Sequence, residues 1–329
     1  MEKKYDVTAL GELLIDFTEN GLSAQGNVIM EANPGGAPCN VLAMLSKLGH
    51  KTGFIGKVGD DSFGKRLREV VSEVGIDVSG LVTDENVHTT LAFVHTAPDG
   101  DRSFSFYRNP GADMMLGAGE INEDMIRQSK IFHFGTLSMT DEICEEATKK
   151  AVGLAKGHGC LISFDPNLRE KLWRSLDEAK EKTLWGLGKC DILKISDNEI
   201  IWLTGKNDFD EAVEELRREY HEISLILLSC GKDGSRAYMG GSSASVPAFA
   251  LKETIETTGA GDTFFGAVLN YILEKGCENG RMPQLSDSEL EEMLIFANAA
   301  AALITTKKGA LRVMPSREEI LKLMSDNGF

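Results

Sequence analysis

Apolar and polar positions fall into blocks along this chain, and the period of the blocks changes from one to the next. Short apolar runs at Asp6 to Leu10, Leu161 to Phe164, Ile192 to Ile195 and Ile223 to Leu228 have the length of buried strands. Cys39 to Leu48, Phe63 to Val74, Ser175 to Leu187, Asp208 to Tyr220, Thr263 to Lys275 and Asp287 to Thr305 read as helices. Pro38 stands near the first position of the first helix and Gly49 lies beyond its end, while Gly75 stops the second. Such alternation predicts an α/β protein: a mostly parallel central sheet with helices on both faces, in three layers.

Two stretches break the rhythm. Asp16 to Asn33 is polar and has no helical period. Thr89 to Arg108 reads as a hairpin, with Leu91-Ala92-Phe93-Val94 going out, a turn at Pro98-Asp99-Gly100 and Ser103-Phe104-Ser105-Phe106 returning. The return strand alternates polar and apolar, so one of its faces is wet or meets a ligand. Together these excursions, about 16–33 and 89–110, read as a small β lid on a single domain spanning 1–329; the alternative is an ordinary surface hairpin.

Composition narrows the choice of partners. A chain of 329 residues, 42% hydrophobic, can bury a sizeable core. Its formal net charge of -16 repels DNA, RNA and anionic lipid. An anionic substrate therefore needs a local positive site, which backbone amides at a helix N-terminus supply. The six cysteines are scattered with no C-x-x-C pair, which predicts no disulfide framework or zinc site and a reducing, cytoplasmic setting. Glu2, Asp6 and Glu12 interrupt the N-terminal region where a signal peptide needs an apolar core. The longest apolar stretch, Leu294 to Ile304, is too short to span a bilayer and contains Asn298. No Walker A loop, H-E-x-x-H or G-x-S-x-G segment is present.

The most informative segment is Thr257-Thr258-Gly259-Ala260-Gly261-Asp262-Thr263, which opens the apolar helix Phe264-Phe265-Gly266-Ala267-Val268-Leu269. Small residues at Gly259, Ala260 and Gly261 let backbone amides approach an anion, and the helix dipole adds about half a positive charge there. Asp262, at the mouth of that site and kept ionised by the helix end, is placed to accept the proton of an attacking hydroxyl. An acidic helix cap is the competing reading of Asp262, but a cap does not call for three small residues before it. Gly35-Gly36-Ala37-Pro38-Cys39-Asn40 is a second glycine turn leading into a helix. Its amides and the Asn40 side chain suit a sugar hydroxyl, although taken alone the segment reads more readily as a turn and cap. Asp16 follows Leu13-Leu14-Ile15 near the end of the first strand region, where ligand crevices form.

At these residues the chain resembles the ribokinase, or PfkB, family of carbohydrate kinases. Gly35 to Asn40, with its helix on to Gly49 and Gly59, matches one signature, and Thr257 to Ala267 matches the other; the resemblance runs from the first strand to Pro315. It implies a ribokinase-like fold. It implies that Asp16, Gly35, Gly36 and Asn40 hold the sugar, that Asp262 is the base and that Gly259, Ala260 and Gly261 form the anion hole. ATP and Mg²⁺ are the implied cosubstrate and cofactor. Lys194-Ile195-Ser196-Asp197-Asn198-Glu199 falls where the family has N-x-x-E, so Glu199 would act on Mg²⁺ through water and phosphate, with Ser196 in place of the usual asparagine. Gly231 and Gly234 would line the nucleotide, and Asn298 would lie beside the adenine. Glu256 replaces the usual aspartate of a K⁺ site that would include Thr258 and Gly309. Relatives also pair through the lid, which implies a homodimer.

Three segments resemble fructokinases: Gly11 to Asp16, Tyr107 to Asp113 and Phe164 to Arg169. Arg108 and Arg169 are candidates to reach substrate oxygens or the transferred phosphate, against surface ion pairs as the ordinary fate of an arginine. The resemblance thus implies phosphorylation of D-fructose to fructose 6-phosphate. 2-Keto-3-deoxygluconate kinases, which use arginines here for a carboxylate, are the second substrate reading. A catalytically silent sugar-binding regulator on the same fold is the reading outside the enzyme class.

Overall fold

The computed structural model describes residues 3–96, 102–251, 253–277 and 280–329. The turn expected at Pro98-Asp99-Gly100 lies outside them. The strands are β1 Tyr5–Leu10, β2 Leu14–Leu22, β3 Val28–Gly35, β4 Thr52–Gly59, β5 Ile76–Asp84, β6 Leu91–Thr96, β7 Arg102–Tyr107, β8 Ser129–Gly135, β9 Leu161–Asp165, β10 Ile192–Ser196, β11 Leu225–Ser229, β12 Ser235–Met239 and β13 Ser242–Val246. The α-helices are α1 Ala37–Lys47, α2 Ser62–Glu73, α3 Glu123–Arg127, α4 Glu142–Gly157, α5 Leu176–Leu187, α6 Asp197–Thr204, α7 Phe209–Glu219, α8 Ala260–Gly276, α9 Asp287–Ile304 and α10 Arg317–Asp326.

Nine strands form the central sheet in the order β13-β12-β11-β10-β9-β8-β1-β4-β5. From β11 to β5 every pairing is parallel, and only β12 and β13 run antiparallel at one edge. Its parallel strands are buried on both faces because helices cover both. One buried apolar cluster packs α1, α8 and α9 against one face, and a second packs α4, α5 and α7 against the other. The three-layer architecture expected from the alternation of elements is therefore present.

The two excursions pair with each other. β2 and β3 form one hairpin, β6 and β7 another, and β2 joins β6 in parallel, giving a separate sheet in the order β3-β2-β6-β7. Period-two alternation decides what each face meets. Phe17, Phe93 and Tyr107 stack in a row that ends on Phe63 of α2. Leu14, Asp16, Val94 and Phe106 look the other way, into a cavity shared with the central sheet. Asp16 thus approaches the site from the small sheet, not from the end of β1 as the sequence suggested. No helix among the described residues is long and apolar enough to cross a membrane. All six cysteines are buried and unpaired.

Candidate active site

Among the described residues, eight of the ten α-helices begin with a side chain that accepts a hydrogen bond from the first turn, such as Asp61, Asp141, Ser175 and Ser316. Only α1 and α8 lack such a cap; their N-cap residues are Gly36 and Gly259, both at positive φ, 136° and 77°. Both helices point these ends into the same cavity of about 450 Å³, lined by Asp16, Gly36, Asn40, Arg169, Lys194 and Gly259 to Asp262 among others. An adjoining cavity of about 300 Å³ shares Asn167, Arg169 and Lys194 and adds Ser196 and Glu199.

Helix α8 starts at Ala260, three residues before the sequence pattern placed it, so Ala260, Gly261 and Asp262 form its first turn. The Ala260 N–H is spent on the Thr257 carbonyl (3.2 Å). The N–H groups of Gly261 and Asp262 find no acceptor among the described residues, which leaves them to a ligand. Of the three amides expected to receive an anion, only that of Ala260 is spent among the described residues. Asn40 of α1 donates to Asp262 Oδ2 at 2.8 Å, so the two signatures meet at the base. Burial pushes the Asp262 carboxyl above its ordinary range, against the pull of the Asn40 hydrogen bond and the charges of Lys194 and Arg169. The groups that favour its charged form are therefore Asn40, Lys194 and Arg169, in addition to the helix end read from the sequence.

Burial also drives Asp16 up to about 7, opposed by Arg169 and reinforced by Glu256 and Asp262. Gly35 stands directly behind it: a Cβ there would sit 2.5 Å from Asp16 Oδ2. Gly36 passes so close to β1–β2 that a Cβ would sit 2.3 Å from the Glu12 carbonyl oxygen. Lys194 is buried in an ion pair with Asp165 (2.9 Å) and keeps its charge because Asp165 and Glu199 outweigh burial. Its Nζ lies 3.3 Å from where a Cβ of Gly261 would be, beside the open amides.

Four expected contacts have other surroundings in the structure. Arg108 is buried, with its guanidinium on Asp113 (2.8 and 2.7 Å), Thr140 and the Leu137 carbonyl; it does not face the cavity. Asn298 accepts from Ser235 and donates to the Val246 and Pro247 carbonyls, so its amide is committed to holding the protein together. It stands next to the Gly231–Gly234 turn, because a Cβ on Gly234 would strike the same Val246 carbonyl at 2.1 Å. Gly231 and Gly234 line neither cavity. Glu256 accepts from the Thr258 hydroxyl (2.7 Å) and from the Gly309 N–H (3.0 Å). Both Glu256 oxygens thus already hold a donor from the other two members of the expected cation site.

Glu199 and Ser196 form a capping box on α6, and Glu199 also accepts from the Leu168 N–H (2.7 Å). Its carboxyl is held below the ordinary range, since Lys194 and these amides outweigh burial. No cluster of three His, Cys, Asp or Glu suited to a metal occurs among the described residues. A divalent ion here would rest mainly on phosphate oxygens, with Glu199 reaching it through water. Sequence reasoning missed Glu12 and Asn167, which line the cavity, and Asp165, which lines a smaller pocket with both. The signal available was a charge inside or ending an apolar strand: Asp165 closes β9, and Lys194 interrupts β10 beside it.

Fold and site together describe a phosphotransferase: an open helix N-terminus for an anion, a buried cation beside it, and a carboxylate facing a cavity of sugar size. Comparison with known proteins agrees. Residues 4–317 match the model of the pfkB family carbohydrate kinases. A probable fructokinase-2 of Arabidopsis thaliana is 41% identical over 97% of this chain and 95% of its own length. A fructokinase of Xylella fastidiosa with bound ATP superimposes with a TM-score of 0.87 at 29% identity, covering 99% of this chain and all of that one. A double-mutant fructokinase of Vibrio cholerae O395 in a fructose-, ADP- and potassium-bound form gives 0.86 at 26% identity, over 98% of this chain and 99% of the other. The chain belongs to the pfkB family of carbohydrate kinases.

Proposed function

We propose that this carbohydrate kinase is a fructokinase, moving the γ-phosphoryl group of ATP to a primary hydroxyl of fructose. The observation that carries the reading is the convergence of Asp262, the open amides of Gly261 and Asp262, and Lys194 on one cavity whose other wall is Asp16, Gly36 and Asn40. The sugar binds between α1 and the small sheet, its hydroxyls on Asp16 and the Gly36 backbone. Asp262, oriented by Asn40, takes the proton of the attacking hydroxyl as the in-line transfer proceeds. The amides of Gly261 and Asp262 and the ammonium of Lys194 stabilise the charge that develops on the phosphoryl oxygens. The nucleotide phosphates occupy the adjoining cavity with Mg²⁺, whose charge offsets theirs, and Arg169 spans both compartments. With Arg108 committed inside the protein, the cavity has lost one of the two arginines that a sugar-acid reading needs, which favours a neutral sugar. Two copies pair through the small sheet, which exposes Leu22, Val28, Ile29 and Tyr107.

The test is ADP release with MgATP against fructose, ribose, 2-keto-3-deoxygluconate, fructose 6-phosphate and adenosine. Fast turnover on fructose alone is the expected result; turnover on the keto-acid in its place would move the specificity. Replacing K⁺ by a large organic cation should change the rate less than about twofold, because Glu256 already bridges Thr258 and Gly309. Light scattering should report a dimer that Val28→Glu dissociates.

A further inference from the structure

The segment that closes β9, Asp165 to Leu168, is tied at each of its residues. The Thr136 hydroxyl donates to the Pro166 carbonyl at 2.6 Å. The Asn167 N–H donates to Asp165 Oδ1 at 3.1 Å. The Leu168 N–H donates to Glu199 Oε1 at 2.7 Å. Asn167 takes φ of 46°, the only non-glycine residue at positive φ among those described. Strain of this kind persists where surrounding contacts over-determine it, and it concentrates at functional sites. Asn167 lines both cavities and a smaller pocket behind them with Glu12 and His133. The other oxygen of Asp165, Oδ2, receives Lys194 Nζ at 2.9 Å.

A single buried carboxylate therefore sets two groups at the junction of donor and acceptor compartments. We propose that Asp165 is a positioning residue for phosphoryl transfer: one oxygen holds the strained Asn167 turn, and the other holds the Lys194 ammonium against the open amides of Gly261 and Asp262. Without Asp165 the lysine has a flexible stem and three rotatable donors. It would follow the phosphates of the bound nucleotide and would not wait where charge develops. Asp165 therefore serves the transition state and not the ground state, and its loss lowers kcat more than it raises either KM. An ammonium with no counter-charge is also costly in a buried site, as is a carboxylate without its ammonium. That cost gives the pair a signature: removing Lys194 alone leaves Asp165 unpaired beside the triphosphate, so removing Asp165 as well should partly restore nucleotide binding.

The inference rests on the fructokinase reading for its rate measurements but not for its binding measurements. The experiment compares wild type, Asp165→Asn, Lys194→Gln and the double variant in full-length protein. It records kcat and both KM values with MgATP and fructose, and affinities for ATP and AMP without sugar by calorimetry. Asp165→Asn should lower kcat about 30-fold with both KM values within about threefold. Lys194→Gln should weaken ATP at least about tenfold and leave AMP within about twofold, and the double variant should bind ATP more tightly than Lys194→Gln alone. Turnover of Asp165→Asn within about threefold of wild type would overturn the proposal. So would a double variant whose losses in ATP affinity simply multiply. If Asp165→Asn does not fold, Lys194→Gln alone decides the matter: an unchanged preference for ATP over AMP overturns the proposal. No turnover of fructose by wild type, with the ATP-over-AMP preference and the double-variant rescue intact, would refute the sugar and leave this inference standing.

Discussion

Helices α1 and α8 start alike and end up with different electrostatics. Each is capped by a glycine at positive φ and points into the cavity. At α1 the first two positions offer nothing to a ligand: Ala37 donates to the Glu12 carboxylate at 2.8 Å, and Pro38 has no N–H. Burial drives Glu12 up to about 7, with its own amide and that of Ala37 pulling the other way. At α8 no carboxylate closes the first turn, and Lys194 adds a full positive charge nearby. One glycine turn is therefore suited to a neutral sugar and the other to a phosphate. The difference lies in what neighbouring strands bring, since the two glycine turns are similar in sequence.

Experiments can break this contrast in four places. The largest effect belongs to the base: Asp262→Asn should cut kcat at least about a hundredfold with the fructose KM within about threefold, read by steady-state kinetics. Next, Gly36→Ala should lower stability by about 2–4 kcal/mol in denaturant melts, because φ is positive and the added Cβ meets backbone at 2.3 Å. The matching change at the other helix should behave differently. Gly261→Ala leaves helix formation unharmed, and its Cβ meets only the movable end of Lys194 at 3.3 Å. It should lower kcat about tenfold while Tm stays within about 2 °C, and a Tm loss equal to that of Gly36→Ala would erase the distinction.

The smallest effect concerns pH. The folded value of Asp16, about 7, lies above the ordinary 3.8, so folding favours its protonated form. The stability this provides is complete below about pH 4 and is lost as pH rises through about 7. Asp16→Asn cannot ionise, so its Tm should exceed that of wild type by about 3–6 °C near pH 8, and by less than half of that near pH 5. The same variant should bind fructose at least about tenfold more weakly at either pH, which separates a stability cost from a binding role.

Legibility in the sequence varied by element. The strand of Ile192 to Ile195 and the helices at α2, α5, α7 and α9 were readable within a residue or two, because burial on one face imposes a period. Strands β4, β5 and β8 went unread, although β4 and β8 carry long buried runs. Gly53, Gly56 and Gly59 punctuate β4, and glycine in a strand resembles a turn until a neighbour is seen to approach. Both glycine turns and Asp262 were legible, because each needs a backbone that only small residues allow. The fates of Arg108 and Asn298 were not. Nothing local states that Asp113 and Thr140 will enclose the one, or that Val246 and Pro247 will claim the other.

From the chain alone came the α/β class, the two helix openings and Asp262 as the candidate base, since these depend on periodicity and on residues a few positions apart. Packing decided the rest. It joined Asn40 to Asp262 across 222 positions, set Lys194 beside Gly261, and turned Glu256 onto Thr258 and Gly309. It also settled which charges meet a ligand and which are spent on the protein. A charge buried away from water must find a partner, and which partner lies within reach is a property of the folded chain and not of its order of residues.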